Sequence, residues 1–157
     1  MIIGGCYPGN EFHLDNLKRL IDELGIADQV TLTGEAEDIK AAYAALDISV
    51  MASATPEPFG GVTIESMAFT KPVIGTAIGG TPEQIVEGKT GLLIPPNAPR
   101  EMADAIDRLI EDQPLRTSMG LSGRKRFENE FLFGPYYKKL SNHYVSAHEY
   151  VRRSNAV

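Results

Sequence analysis

Glu57 and Glu65 are separated by seven residues in the stretch TPEPFGGVTIESMA, residues 55–68, with Phe59-Gly60-Gly61 between them where an apolar run gives way to a helical pattern. A helix opening at these glycines presents its first N–H groups without intrahelical partners, backed by the positive end of the helix dipole. That arrangement suits a phosphate, and glycine lets the backbone approach it without a Cβ in the way. Glu65 follows Gly61 by four residues and so shares its helix face one turn along, while Glu57 precedes the turn. The two carboxylates therefore bracket a candidate anion site. An ionised carboxylate only accepts hydrogen bonds, so the pair suits the hydroxyl-rich groups at either end of a diphosphate, a sugar on one side and a ribose on the other. Spacing alone leaves a plainer reading open, in which Glu57 complements the helix dipole and Glu65 is a solvated helical residue.

The elements that must position these residues follow from periodicity. MIIGGC (1–6), QVTLTG (29–34), ISVMAS (48–53), PVIGTA (72–77) and GLLIPP (91–96) are strand-sized runs closed by turn residues. Between them lie EFHLDNLKRLIDELGI (11–26), with Leu14, Leu17, Leu20, Ile21 and Leu24 on one face, then DIKAAYAALD (38–47), then the helix after Phe59. Alternation of this kind predicts an α/β fold, a Rossmann-like parallel sheet with crossover helices. PREMADAIDRLIEDQ (99–113), with Met102, Ala103, Ile106, Leu109 and Ile110 at helical spacing, and a second helix over 115–129 make the C-terminal third helical. In an open parallel sheet ligands bind beyond the carboxyl ends of the strands, which singles out the loops 4–10, 33–37, 53–61 and 76–81. Gly4-Gly5 with Gly9, Gly60-Gly61 and Gly79-Gly80 fall in three of them, either to admit a ligand or to make tight βα turns.

Composition bounds the partners. With 157 residues, 43% hydrophobic and 23% charged, the chain is long enough for one domain with a sizeable core. A formal net charge of −6 argues against nucleic acid or an anionic membrane as partner, since both demand a positive surface. The lone Cys6 excludes an intrachain disulfide, and His13, His143 and His148 stand at no metal-ligand spacing, so no metal site is assigned. No apolar run is long enough to span a bilayer and no signal peptide is evident, so the expected location is cytoplasmic.

EPFGGVTIESMAFTKPVIGTAIGGTPEQIVEGKTGLLIPP, residues 57–96, resembles the signature of the retaining group 1 glycosyltransferases of family four, which have the GT-B fold. Glu57 and Glu65 meet the E-x(7)-E pattern, Gly79-Gly80-Thr81-Pro82-Glu83 the Gly-Gly-x-Pro-Glu loop, and TGLLIPP (90–96) the strand-ending signature. The resemblance covers residues 1 to about 130 and implies a nucleotide-sugar-binding domain over 1–130 with a C-terminal helical extension over 131–157. It further implies that Glu57 contacts donor-sugar hydroxyls and affects turnover by positioning the sugar. The backbone of Phe59, Gly60, Gly61 and Val62 holds the distal phosphate and sugar, Glu65 binds the ribose diol, and Thr33-Gly34-Glu35 lies along the base. The implied reaction moves a sugar from a nucleoside diphosphate donor to an acceptor hydroxyl with retention of configuration. No metal or other cofactor is expected, and no catalytic base is assigned.

Enzymes of this type also have an N-terminal acceptor domain and a first strand–helix unit bearing an arginine and a lysine for the diphosphate. These have no counterpart in the sequence, and Lys71 and Lys89 do not fit their pattern. The chain is therefore expected to be the donor-binding part of a larger enzyme, inactive alone, with any membrane association residing in the acceptor domain. A nucleotide-binding or regulatory module without transfer, and a GT-B sugar-nucleotide epimerase, are the alternatives. Tyr136, Leu140, Tyr144, Ala147 and Val151 fall on one helical face, and this stripe predicts a homo-oligomer.

Overall fold

The computed structural model describes residues 1–154, and two compact units divide them, the first Met1–Ala45 and the second beginning at Leu46. In the first unit, helix α1 (Glu11–Glu23) is followed by a single 3-10 turn over Ala27–Gln29 and by α2 (Ile39–Ala45). Ile21 and Tyr43 are buried, while Leu20 and Leu24 at the flank of the α1 face are half or more exposed.

The runs 1–6 and 29–34 do not form the full strands that their composition predicts. They meet only at isolated bridges, Ile2 with Leu32 and Gly4 with Gly34. Met1 and Ile2 stay largely exposed, and a two-stranded pairing without a buried face is marginal in water. Gly4-Gly5 adds backbone freedom where a ladder would have to continue.

The second unit carries the sheet. Strands β1 (Ser49–Met51), β2 (Val73–Thr76) and β3 (Gly91–Ile94) pair in parallel in that order, with Met51 opposite Gly75 and Gly75 opposite Leu93. Every residue of β2 is buried, as a central parallel strand covered on both faces requires. Ile74, Leu92 and Ile94 point to one side and pack with Leu109 and Met119 from α5 (Pro99–Glu111) and α6 (Gln113–Arg126). Val73 points to the other side and packs with Met67 of α3 (Gly61–Ala68) and with Ile85 just after α4 (Thr81–Gln84). This two-faced division is the alternation of side chains along a strand.

α5 turns Met102, Ala105, Ile106 and Leu109 inward, whereas Ile110, expected on that face, is 59% exposed. α6 starts at Asp112, whose Oδ1 accepts the Leu115 N–H at 2.8 Å, and Arg116 Nη1 reaches back to the Leu109 carbonyl at 2.6 Å. Its Gly120 lies against the Thr70 carbonyl so closely that a Cβ there would stand 2.1 Å from the oxygen. The predicted helix over 115–129 closes in a π-helical turn, Phe127–Phe131, before α7 (Phe133–Ser154). The stripe Tyr136, Leu140, Tyr144 and Val151 is exposed along α7.

Candidate functional site

α3 begins where the glycines predict it, because Gly60 adopts the left-handed conformation with φ 67° and turns the chain directly into Gly61. No side chain caps this start; the Thr63 N–H turns back to the Gly60 carbonyl at 3.3 Å, and the N–H groups before it, in the first turn, are the ones open to a ligand. The helix is tied down along its inner face by small polar residues. Ser66 Oγ bonds Ser49 Oγ of β1 at 2.6 Å, and Thr63 Oγ1 bonds the sulfur of Met51 at 3.1 Å, both partners being buried. Short side chains at these two positions let α3 lie close to β1, which holds its N-terminus at the carboxyl end of the strand.

Both predicted carboxylates lie at this start. A Cβ built on Gly60 would stand 3.4 Å from Glu57 Oε2, and one built on Gly61 would stand 3.2 Å from Glu65 Oε1. Glu57 and Glu65 thus flank consecutive glycines, from before the turn and from one turn into the helix. Glu57 is oriented by Ser53, whose Oγ donates to Glu57 Oε1 at 2.6 Å. Ser53 is in turn fixed through its carbonyl, which accepts from Thr76 Oγ1 at 2.8 Å. Phe59 and Val62 are 53% and 43% exposed beside the glycines, large apolar groups at the mouth of the site.

The second motif packs against the first. Gly80 N–H donates to the Glu57 carbonyl at 2.9 Å. A Cβ on Gly79, where φ is 61°, would lie 2.3 Å from that same oxygen and 2.7 Å from the Glu57 nitrogen, and a Cβ on Gly80 would lie 2.4 Å from the Pro58 carbonyl oxygen. Only glycine permits this approach at either position. β1 and β2 are adjacent and parallel, so the loops that follow them emerge side by side at the same sheet edge.

A cavity of about 600 Å³ opens on the flank of these loops, lined among others by Phe59, Gly80, Gln84, Arg126, Glu130 and Lys139. Lys139 Nζ bonds Glu130 Oε2, which holds that carboxyl below the usual carboxylate range. Thr33, Gly34 and Glu35 belong to the first unit. There the Gly34 carbonyl accepts from Gly4 N–H at 2.9 Å and from Thr33 Oγ1 at 2.9 Å, and the Glu35 side chain lies against Gly5. A cavity of about 440 Å³, with Gly4, Gly5 and Gly34 among its lining residues, adjoins α1 in that unit.

Sequence reasoning did not single out Ser53, Gln84 or Arg126. Ser53 could have been found as a hydroxyl four residues before Glu57, but Arg126 is 42 residues from the carbonyl it holds and carries no local signal. Among the described residues no three His, Cys, Asp or Glu side chains gather as a metal site, and no helix is long and apolar enough to cross a membrane.

The model of the glycosyl transferases group 1 family matches residues 1–126. D-inositol 3-phosphate glycosyltransferase of Corynebacterium aurimucosum is 32% identical over 149 residues, which is 94% of this chain and 35% of that protein. HepE of Anabaena, solved in complex with UDP, superposes with a TM-score of 0.87 at 28% identity, over 92% of this chain and 40% of that one. The C-terminal domain of LpcC, a glycosyl transferase group 1 family protein from Francisella tularensis, superposes with a TM-score of 0.74 at 32% identity, over 81% of this chain and 66% of that one. The chain thus spans about a third of the length of the curated relative.

Proposed function

The chain belongs to the glycosyl transferases group 1 family, and from that premise we propose that it is the donor-binding part of a retaining glycosyltransferase of family four. Its ligand is a nucleoside diphosphate sugar, and the whole protein moves the sugar to an acceptor hydroxyl. The observation that carries this reading is the placement of Glu57 and Glu65 against consecutive glycines at the uncapped start of α3.

The Phe59–Val62 backbone takes the distal phosphate and the adjoining edge of the sugar, the Glu57 carboxylate accepts from sugar hydroxyls, and Glu65 accepts from the ribose diol. As the glycosidic bond breaks, negative charge grows on the departing diphosphate, and N–H groups already aimed at it stabilise that charge without reorganising. Glu57, braced by Ser53, positions the sugar rather than supplying a proton. The 157 residues alone hold the donor without appreciable transfer. A UDP-bound structural relative supports a nucleoside diphosphate as ligand.

Calorimetric titration with UDP, GDP, ADP and their sugars tests the assignment. Glu65→Ala weakens the nucleoside diphosphate itself, whereas Glu57→Ala removes mainly the extra affinity due to the sugar. A hydrogen bond to a charged acceptor is worth about 1.5–3 kcal/mol, and solvent exposure at this open site reduces that. Unchanged affinities in both variants would make the two glutamates structural and end the reading.

A further inference from the structure

The loop bearing Phe59 is held by two residues outside the E-x(7)-E and Gly-Gly-x-Pro-Glu motifs. Gln84, 2% exposed at the end of α4, donates a side-chain amide N–H to the Phe59 carbonyl. Its own backbone carbonyl accepts from Arg126 Nε at 2.8 Å, and the Glu83 carbonyl accepts from Arg126 Nη2 at 2.8 Å. The guanidinium lies over the Phe131 ring, 5.6 Å from its centre. Arg126 thus clamps the end of α4 with a fork, and from that anchored point the Gln84 amide reaches 25 residues back to the loop.

The Phe59 carbonyl and the Gly60 N–H belong to one planar peptide, so fixing the oxygen fixes the direction of the N–H on the opposite side. That peptide leads into the left-handed Gly60 and the start of α3.

Holding the amide there carries a cost. Gln84 Oε1 is buried without a hydrogen-bond partner among the described residues. An unpaired buried acceptor destabilises a fold, and an apolar side chain of the same length would not carry that penalty. What the glutamine has in return for that unpaired oxygen is the bond from its amide N–H to the Phe59 carbonyl.

We propose that Gln84, anchored by Arg126, is a positioning residue for diphosphate binding: it orients the Phe59–Gly60 peptide so that the backbone N–H groups of the loop face the phosphates. This rests on the reading of Phe59–Val62 as the diphosphate loop.

Gln84→Met keeps length and burial and removes the donor. The probe is whichever of UDP, GDP and ADP the wild-type chain binds most tightly, measured by calorimetry, alongside its nucleoside, measured by NMR titration. The expected result is an unchanged or higher melting temperature, about tenfold weaker diphosphate binding, and unaltered nucleoside binding. Gln84→Glu supplies a pH readout, because its carboxyl donates only when protonated. Relative to wild type at each pH, its deficit is large at pH 8 and shrinks toward pH 5. Diphosphate binding by Gln84→Met equal to wild type overturns the proposal, as does a fall in melting temperature with both ligands weakened together, which is the mark of a merely structural residue. A wild-type chain that binds none of the three diphosphates overturns the loop reading and this proposal with it, an outcome distinct from binding that ignores Gln84.

Discussion

A methyl group added at Gly79 would lie 2.3 Å from the Glu57 carbonyl oxygen, whereas one added at Gly4 would meet nothing within 4 Å. Gly79-Gly80 and Gly4-Gly5 are both glycine pairs that follow strand-sized apolar runs, and in sequence they invite the same interpretation. In the structure the first pair is a packing device that locks one loop against the backbone of another. The second sits beside open space or, at Gly5, beside the flexible Glu35 side chain. A glycine pair therefore signals a built site only where another backbone occupies the room that a Cβ would need.

The sharpest test of that contrast is a pair of substitutions. Gly79→Ala forces an L residue into a left-handed conformation and drives its Cβ into the Glu57 backbone, which cannot swing aside. The expected loss is about 2–4 kcal/mol, on the order of a 10 °C fall in melting temperature, with loss of diphosphate binding. Gly5→Ala meets only the side chain of Glu35, nearest at Cγ, 2.8 Å away, an exposed side chain that can swing aside, and should stay within about 0.5 kcal/mol of wild type. Equal losses from the two, measured by thermal unfolding, would erase the distinction.

A smaller effect is expected from Ser53→Ala, which leaves the interlocked backbones intact and frees Glu57 from its 2.6 Å bond. Affinity for the nucleoside diphosphate should hold, while the increment due to the sugar falls roughly 2- to 10-fold, because solvent exposure reduces the worth of this bond to a carboxylate. Parallel titrations with the diphosphate and its sugar would show it, and a loss shared by both ligands would place Ser53 in the loop's framework instead.

The smallest effect separates two lowered carboxyls, one in each unit. Glu11 is held below the usual carboxylate range by backbone hydrogen bonds from its own N–H and from Gly9 N–H, the latter at 3.0 Å. Glu130, on the cavity beside Gly80, is lowered by Lys139, through a hydrogen bond and charge attraction. A carboxyl with a depressed folded-state pKa contributes stability above its unfolded pKa and loses it as pH falls through the folded value. In Lys139→Met, NMR titration should therefore find Glu130 back near the ordinary carboxylate pKa, with Glu11 unmoved. High salt should shift Glu130 upward more than Glu11, since a charge pair is screened and a backbone dipole much less so. Equal salt shifts would contradict the assigned causes.

Local pattern was enough for α3, α5, the three paired strands and the spacing of Glu57 and Glu65, because turn chemistry and side-chain periodicity act within a few residues. It was enough for the likeness to the family as well, since E-x(7)-E and Gly-Gly-x-Pro-Glu are contiguous strings. It overstated the runs 1–6 and 29–34, whose composition is strand-like but whose pairing stops at two bridges. A strand needs a partner and a face to bury, and neither is written in a six-residue run. The contact of Gly79 with Glu57, the bond from Gln84 to Phe59 and the fork of Arg126 join residues 22 to 43 positions apart in the chain. Those were decided only in three dimensions, because adjacent parallel strands bring successive loops to one sheet edge and leave no trace of that adjacency in either loop's own residues.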